Sequence, residues 1–519
     1  MIKPKHYILV LILVSQGFST PGQMGYNDLL IRLNGDVPTG TNVKITQVEA
    51  LDQNGYVPNS QNNDLSGINF ILKSGPSGNS GHATQVARRA YGRGIFSIIP
   101  QMPEAYLYSA SGWLQNDFLN LNTNNFQLPL AIDPGCKVIN HSWVGSFGNT
   151  SLDQLALRRA DFVIDRDNVV MTVGVNNGSD SLNQPLMCYG HSVLSIGTVD
   201  GNHAYGIVPP PFDDSGRMIP QLVAPETTSS DAAGLATAAT GLIFDTILSN
   251  PTLAQIPEIQ KGEVVRAVLL SGALPTPSWT NNPILSGSDA GITSTPLDPI
   301  FGAGLIHIDR SHKIITGERI NGSLSIQNAS YMTPYGWELS NPEPNSSLWW
   351  KFRIDDNILE DDISIAATWN RFVSSSFNSA LNFNIDLNLW ILDQNDYVRL
   401  IGKSMINNVQ NGNTSSKSTV DVLELLQIES LSPGEYLLEM ERVDFFTIPM
   451  EVGLGWRIPN ASIAQNPSSG DFNSDGAINV LDLLSIISAF GECASCPQDL
   501  NSNGIVDTLD LLILISNFD

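Results

Sequence analysis

The chain changes its hydrophobic period once, near residue 320, and that change bounds what it can fold into. From 26 to 317, short β-branched runs alternate with helical stretches. "VKITQVEA" (43–50), "KVINHSW" (137–143) and "NVVMTVGV" (168–175) read as strands. "LDQLALRRADFVIDR", between the last two, has helical spacing, and "AAGLATAATGLIFDTIL" reads as a long apolar helix. Strand and helix in alternation predict an α/β domain with a mostly parallel sheet covered on both faces. Beyond Ile320 the helical period is gone. "LNFNIDLNLWIL" (381–392) alternates polar and apolar residues, and "LWWKFRI", "ISIAATW", "YLLEMERV" and "MEVGLGWRI" are further strands bounded by Asn, Ser, Pro and Gly. They predict an all-β sandwich or jelly roll over 321–459. Trp349, Trp350, Trp369 and Trp390 read as core or interlayer residues of that sandwich rather than a sugar-binding face.

A chain of 519 residues holds more than one core. Its first residues are basic (Lys3, Lys5, His6), an apolar run follows to Val14, and Gly17 and Ser19 take the small-residue positions of a cleavage site. Residues 1–19 therefore read as a signal peptide, so the protein is expected to be secreted. No later segment has 18 uninterrupted apolar residues, so no transmembrane segment is expected. The formal charge of −25 and the lack of a Lys/Arg cluster argue against nucleic acid as a partner. Cys136, Cys188, Cys493 and Cys496 are too few for a disulfide scaffold. "NASIAQNPSSG" reads as a linker, taken as 460–470.

The tail, 471–519, repeats itself: "DFNSDGAINVLDLLSIISAF" recurs 28 residues later as "DLNSNGIVDTLDLLILISNF". Each copy places oxygen-bearing side chains at loop positions 1, 3, 5, 9 and 12, with Gly at 6, which is calcium-loop spacing. The ligands would be Asp471, Asn473, Asp475, Asn479 and Asp482, then Asp499, Asn501, Asn503, Asp507 and Asp510. Leu483, Leu484, Ile487 and Phe490, with Leu511, Leu512, Ile515 and Phe518, would form the apolar helix faces. With Asp at position 12, the pair resembles type I dockerin repeats, one calcium loop before one helix, twice. The resemblance implies a small α-helical domain, calcium as its cofactor, and a cohesin-like or cell-surface partner. It makes a bacterial source the better expectation.

Three remote segments of the first domain carry residues that can work together. "SGHATQVA" puts His82 at a helix start, "VKITQVEA" puts Glu49 at a strand end, and "LVAPETTSSDAAGLATAATGLI" puts Ser230 at the mouth of the long helix. A serine nucleophile needs a histidine base, and the histidine needs a carboxylate to fix its tautomer. These segments, with "VINHSWVG", "VGVNNGSD", "HSVLSIGTVDGN", "VVRAVLLSGA" and "FGAGLIHIDRSH", resemble the subtilisin-like serine peptidases over 26–317. The resemblance implies Ser230 as nucleophile, His82 as base, Glu49 as its orienting acid and Asn176 as an oxyanion donor, acting on a protein or peptide substrate, with no cofactor required for catalysis. Asp52 is a reserve partner for His82, and His141 beside the cleft reads as structural.

The segments also depart from that pattern. Glu49 is one methylene longer than the family's Asp. Glu226 stands where the family has Gly, Gly234 where it has Pro, and the segment between Pro225 and Ser230 is short. Too few residues precede the first core strand for a folding propeptide. A sequon, Asn177-Gly178-Ser179, lies beside the expected oxyanion Asn. Three readings stand: a secreted endopeptidase attached through its tail, a catalytically inactive surface or binding protein of the same fold, and an esterase using the same triad.

Overall fold

The computed structural model describes residues 20–122, 127–355, 362–394, 396–459, 461–462, 472, 478–492, 496, 498–501 and 504–516. The expected signal peptide and most of the expected linker lie outside the described residues. The first domain is built on a seven-stranded sheet of β1 (Lys44–Glu49), β2 (Asn69–Leu72), β3 (Glu104–Ser109), β4 (Cys136–His141), β5 (Val170–Gly174), β6 (Leu194–Thr198) and β7 (Leu222–Ala224). Their spatial order is β7-β6-β5-β4-β1-β3-β2, and every pairing is parallel. Neighbouring residues turn to opposite sides: Val138 and Val170 join one core, Ile139 and Met171 the other. Apolar residues on both faces of a strand are what a doubly covered parallel sheet demands.

Helices α1 (Gly81–Ala90) and α3 (Ser229–Ser249) belong to the first of those cores, α2 (Thr150–Asp167) to the second. Among the described residues α3 is the one helix long and apolar enough to cross a membrane. Its residues from Ala232 to Ile247 are instead buried within the domain, so its apolarity is that of a core helix. Two further helices, α4 (Gly262–Ser271) and α5 (Ile308–Ile315), complete this layer.

The β-rich region is a sandwich. One sheet holds β8 (Tyr335–Ser340), β10 (Ile363–Trp369), β12 (Leu423–Ile428) and β14 (Val452–Arg457), paired β8-β14-β10-β12. The other centres on β9 (Ser346–Ile354), β11 (Ile385–Asp393) and β13 (Gly434–Arg442). All of these pairings are antiparallel. Trp350, Trp369 and Trp456 fill the space between the sheets, whereas Trp349 and Trp390 are half-buried and pack on each other, 5.8 Å between ring centroids.

The sandwich is not a detached unit. Trp337, Leu339, Ala366, Leu423 and Leu425, on the outer face of the first sheet, belong to the core of the α/β domain. They pack beneath α4 and α5. Gly453 and Gly455 on β14 admit the close approach: a Cβ at Gly453 would lie 2.4 Å from the Glu263 backbone, and one at Gly455 3.0 Å from Ala267. Arg371 spans the junction, fully buried, 2.8 Å from Asp161 and 2.9 Å from Asp213. The change of period near residue 320 is therefore not a clean boundary, because Ile292–Thr293 pairs with Ser415–Ser416 as a strand of the second sheet.

The tail folds around Ile478, Ile486, Val506 and Leu514. Its helices are α6 (Val480–Ser488) and α7 (Thr508–Ser516). The inward face differs from the expected one. Leu483 and Leu511 pack against this small core, while Leu484, Ile487, Phe490, Leu512 and Ile515 are exposed; Phe518 lies outside the described residues.

Candidate active site

Parallel strands deliver their carboxyl ends to one edge of the sheet, and that is where a crevice forms. β1 ends there at Glu49, β4 runs on into Ser142 and Trp143, and β5 into Val175, Asn176 and Asn177. Helices α1 and α3 begin at the same edge. Glu49, at the end of β1, is 1% exposed. His82, Ser142, Trp143, Asn176, Asn177 and Ser230 all line one cleft of about 290 Å³ at this edge.

Glu49 Oε2 and His82 Nδ1 are hydrogen-bonded at 2.8 Å. The carboxylate is held from behind: Gln47 Nε2 donates to Glu49 Oε1 (2.8 Å) and to the Ala83 carbonyl (3.0 Å), and the Tyr91 hydroxyl donates to Gln47 Oε1. Gln47 and Glu49 are two apart on a strand, so both point the same way. The extra methylene of Glu49 is thus accommodated within a buried network. Ser80 caps α1, its Oγ accepting from the Ala83 N–H at 3.1 Å, and this fixes the first turn on which His82 sits. With Nδ1 turned to Glu49, Nε2 is the nitrogen left for the cleft. The hydrogen bond to Glu49 raises the His82 pKa above its ordinary value against the opposing effect of burial, and the charges of Glu49, Asp231 and Asp52 add to it. Asp52 instead closes its own turn, accepting from the Asn54 and Gly55 N–H groups at 2.7 and 2.9 Å.

Ser230 is the second residue of α3, half-buried, at the positive end of the helix. Its hydroxyl donates to the Ser142 carbonyl at 3.1 Å, and the Ser142 hydroxyl donates back to the Ser230 carbonyl at 2.9 Å. Ser229 beside it is buried and donates to the Val175 carbonyl. Both hydroxyls thus donate to a backbone carbonyl; Ser229 is buried and Ser230 is half-buried in the cleft.

Asn176 is tied into its own loop, its amide Nδ2 donating to the Leu182 carbonyl at 3.0 Å. The neighbouring Asn177 meets the start of α3. Its Oδ1 accepts from the Ser229 N–H (2.9 Å) and the Ser229 hydroxyl (3.1 Å). A backbone donor fixes that oxygen's orientation, so the NH₂ of Asn177 points away from Ser229. His141 lies under the cleft against Trp113 and Trp143, with ring centroids 4.6 and 5.7 Å away. Burial lowers its pKa to about 3, so it stays neutral and structural.

Arg89 joins the two helices. It pairs with Glu226 through Nε (2.9 Å) and Nη2 (3.2 Å), and with Asp231 at 3.3 Å. Glu226 is 8% exposed, so Arg89 supplies the counter-charge its burial requires. Arg89 follows His82 by two helical turns on the same face of α1. That spacing, together with the two carboxylates flanking Ser230, was the available sequence signal. Asn176 and Asn177 both line the cleft, and no sequence signal announces the contact of Asn177 with a helix more than fifty residues away.

In the tail, Asp482 and Asp510 are fully buried. Asp482 accepts from the Phe472 and Asn479 N–H groups at 2.7 and 3.0 Å, and Asp510 from those of Asn501 and Asp507 at 3.1 and 2.9 Å. Asp499 accepts from Gly504 at 2.7 Å. The twelfth-position carboxylate of each repeat thus bonds the backbone of its own loop at position nine. Asp471, Asn473, Asp475 and Asn503 lie outside the described residues, as does Cys493; Cys496 is disulfide-bonded.

No known family profile matches the chain, and no curated protein sequence matches it. Solved structures similar to it include proteases. One is from Pseudoalteromonas arctica (13% identity over 54% of this chain and 92% of that one, TM-score 0.35). Another is a lanthipeptide protease (13%, 56% and 94%, TM-score 0.35). A third is the epidermin leader peptide processing serine protease of Staphylococcus aureus (12%, 59% and 83%, TM-score 0.36). At these values the chemistry of this chain rests on its own residues.

Proposed function

We propose that the protein is a secreted serine endopeptidase. The observation that carries the reading is the 2.8 Å contact between Glu49 and His82 in the cleft that Ser230 also lines. Ser230 Oγ attacks a substrate carbonyl, His82 Nε2 takes the hydroxyl proton and returns it to the leaving amine, and Glu49 holds the imidazole and stabilises its charged form. The Ser230 N–H, at the start of α3, and a side-chain amide receive the oxyanion. Asn176 is the amide the family resemblance implies; the contact with Ser229 favours Asn177. A fluorophosphonate probe is expected to label the full chain at Ser230, with labelling lost in Ser230→Ala and His82→Ala. Folded protein that is not labelled between about pH 5 and pH 10 overturns the proposal.

A second reading, an inactive binding protein, has one observation in its favour: the Ser230 hydroxyl is engaged with the Ser142 carbonyl. Peptide binding without turnover or labelling supports that reading instead. Ester hydrolysis without peptide hydrolysis identifies the esterase.

We infer further that the tail binds two calcium ions and attaches the protein to a cohesin-like or cell-surface partner. The donor set fits, since every expected ligand is a hard oxygen. The described ones are Asn479, Asp482, Asp499, Asn501, Asp507 and Asp510. Calcium bound there would supply the loops' counter-charge and hold them closed. The exposed Leu481, Leu484, Ile487, Leu509, Leu512 and Ile515 give α6 and α7 an apolar outer surface suited to a protein partner. Calorimetric titration with calcium, and its loss in Asp482→Ala and Asp510→Ala, tests this.

A further inference from the structure

At the junction of the α/β domain with the sandwich lies a cavity of about 270 Å³. Its lining includes three carboxylates from separate parts of the chain: Asp165 near the end of α2, Glu263 at the start of α4, and Glu451 before β14. Phe372, Phe383 and Met450 give it apolar walls. A Cβ on Gly262 would lie 3.1 Å from the Val169 carbonyl, which places this cavity at the beginning of β5, whereas the catalytic cleft lies at that strand's other end. The two sites are separate.

Glu263 is 2% exposed. Its Oε1 accepts from Asn370 Nδ2 at 2.5 Å, and the same amide is 3.4 Å from Asp165 Oδ1. Its Oε2 is buried and has no hydrogen-bond partner. A buried acceptor left unsatisfied is costly, and a buried charge more so. Two cations lie nearby: Lys261, paired with one of the three carboxylates, and Arg266, whose buried Nε has no hydrogen-bond partner. Lys261 Nζ is 2.7 Å from Glu451 Oε2. Arg266 Nη2 donates to the Trp369 carbonyl at 2.9 Å and to Asn370 Oδ1 at 2.7 Å. With all three carboxylates ionised, the two cations leave one negative charge uncompensated; burial raises the Asp165 pKa as well as that of Glu263. Among the described residues no three acidic, His or Cys side chains are grouped as metal ligands, which directs attention to an organic cation.

We propose that this cavity binds a primary ammonium group carried on a short aliphatic stem. An ammonium has three donors and no acceptor, matching a rim of carboxylates with one empty acceptor at its floor, and the aromatic walls suit both the stem and the charge. The group can come from a free alkylamine or from a lysine side chain of a peptide. Burial, opposed by the Arg266 charge and reinforced by Asp165 and Glu451, raises the Glu263 pKa to about 7. Binding to the charged form therefore strengthens as pH rises through that value.

The test is calorimetric titration of the full chain with n-butylammonium, 1,4-diaminobutane and an N-acetyl-lysine amide. The expected result is one-to-one binding of n-butylammonium, tighter at about pH 8 than at about pH 5.5, and about tenfold or more weaker in Glu263→Gln. Glu451→Gln, a change at the open rim, is expected to weaken it by a smaller factor without endangering the fold. Diaminobutane or the lysine amide binding more tightly than n-butylammonium identifies the source and supports the proposal. Binding undiminished in both variants, equal binding of tetramethylammonium, stabilisation by calcium through Glu263, or no heat from any amine overturns it. Far-UV circular dichroism of each variant separates lost binding from lost folding.

Discussion

Glu49 reaches His82 although a glutamate is longer than the acid the peptidase resemblance implies, and Gln47 shows how. The strand residue two positions earlier holds the second carboxylate oxygen at 2.8 Å, so length is absorbed without loss of contact. Because Glu49 raises the His82 pKa, the neutral base forms only above the ordinary histidine value. The rate of fluorophosphonate labelling is expected to rise with pH along a limb lying above about 6.5. Glu49→Gln moves that limb down and lowers the rate by about 10²-fold or more, through lost orientation. The linkage has the matching sign: the stabilisation from this pair is complete below the unfolded histidine pKa and is lost as pH rises through the folded one. Asn177→Ala is expected to reduce kcat by about 10²–10³-fold and Asn176→Ala by much less, measured on one peptide substrate. That His82 and Ser230 would meet in one cleft was legible in the sequence, because each stands at the start of a helix that begins at the same sheet edge. The contact of Asn177 with Ser229 was not legible, since two successive asparagines are distinguished only by which one folding turns toward that helix.

Helices α1 and α3 carry His82 and Ser230, the proposed base and nucleophile, and their packing sets the distance between them. Gly234 allows the approach: a Cβ there would come within 3.1 Å of both the Arg89 Cβ and the Val86 carbonyl. That close contact leaves no room for a side chain at this position. Arg89 then binds the acids on either side of Ser230. Arg89→Met leaves Glu226 buried without its partner and is expected to cost about 1–3 kcal/mol, read from the urea midpoint. Labelling of Ser230 should slow with it, and Arg89→Lys should restore part of the rate. At this scale the long helices and the alternating strands were readable from their periods. β12, with its sequence LELLQI, was not. Leu423 and Leu425 face the α/β domain while Leu426 and Ile428 face the sandwich, and a strand buried on both sides loses its alternation.

At the scale of the whole molecule, the sequence suggested a string of modules, and two of them proved to share a core. The tail has its own small cluster of apolar residues. Removing 460–519 is expected to leave the main melting transition unchanged, whereas a chelator should alter only signals from the tail, both followed by calorimetry. A chain ending at Gly317 is expected to be insoluble, because it uncovers α4 and α5 where Trp337, Leu339 and Leu425 now lie. The described tail residues thus cluster apart from the larger cores. The sandwich does not stand apart: Gly453 and Gly455 bring its backbone against α4, so recombination at the junction would have to rebuild two surfaces at once. The α/β half and its β-rich companion are therefore one packed unit, and neither surface at the junction can change without the other.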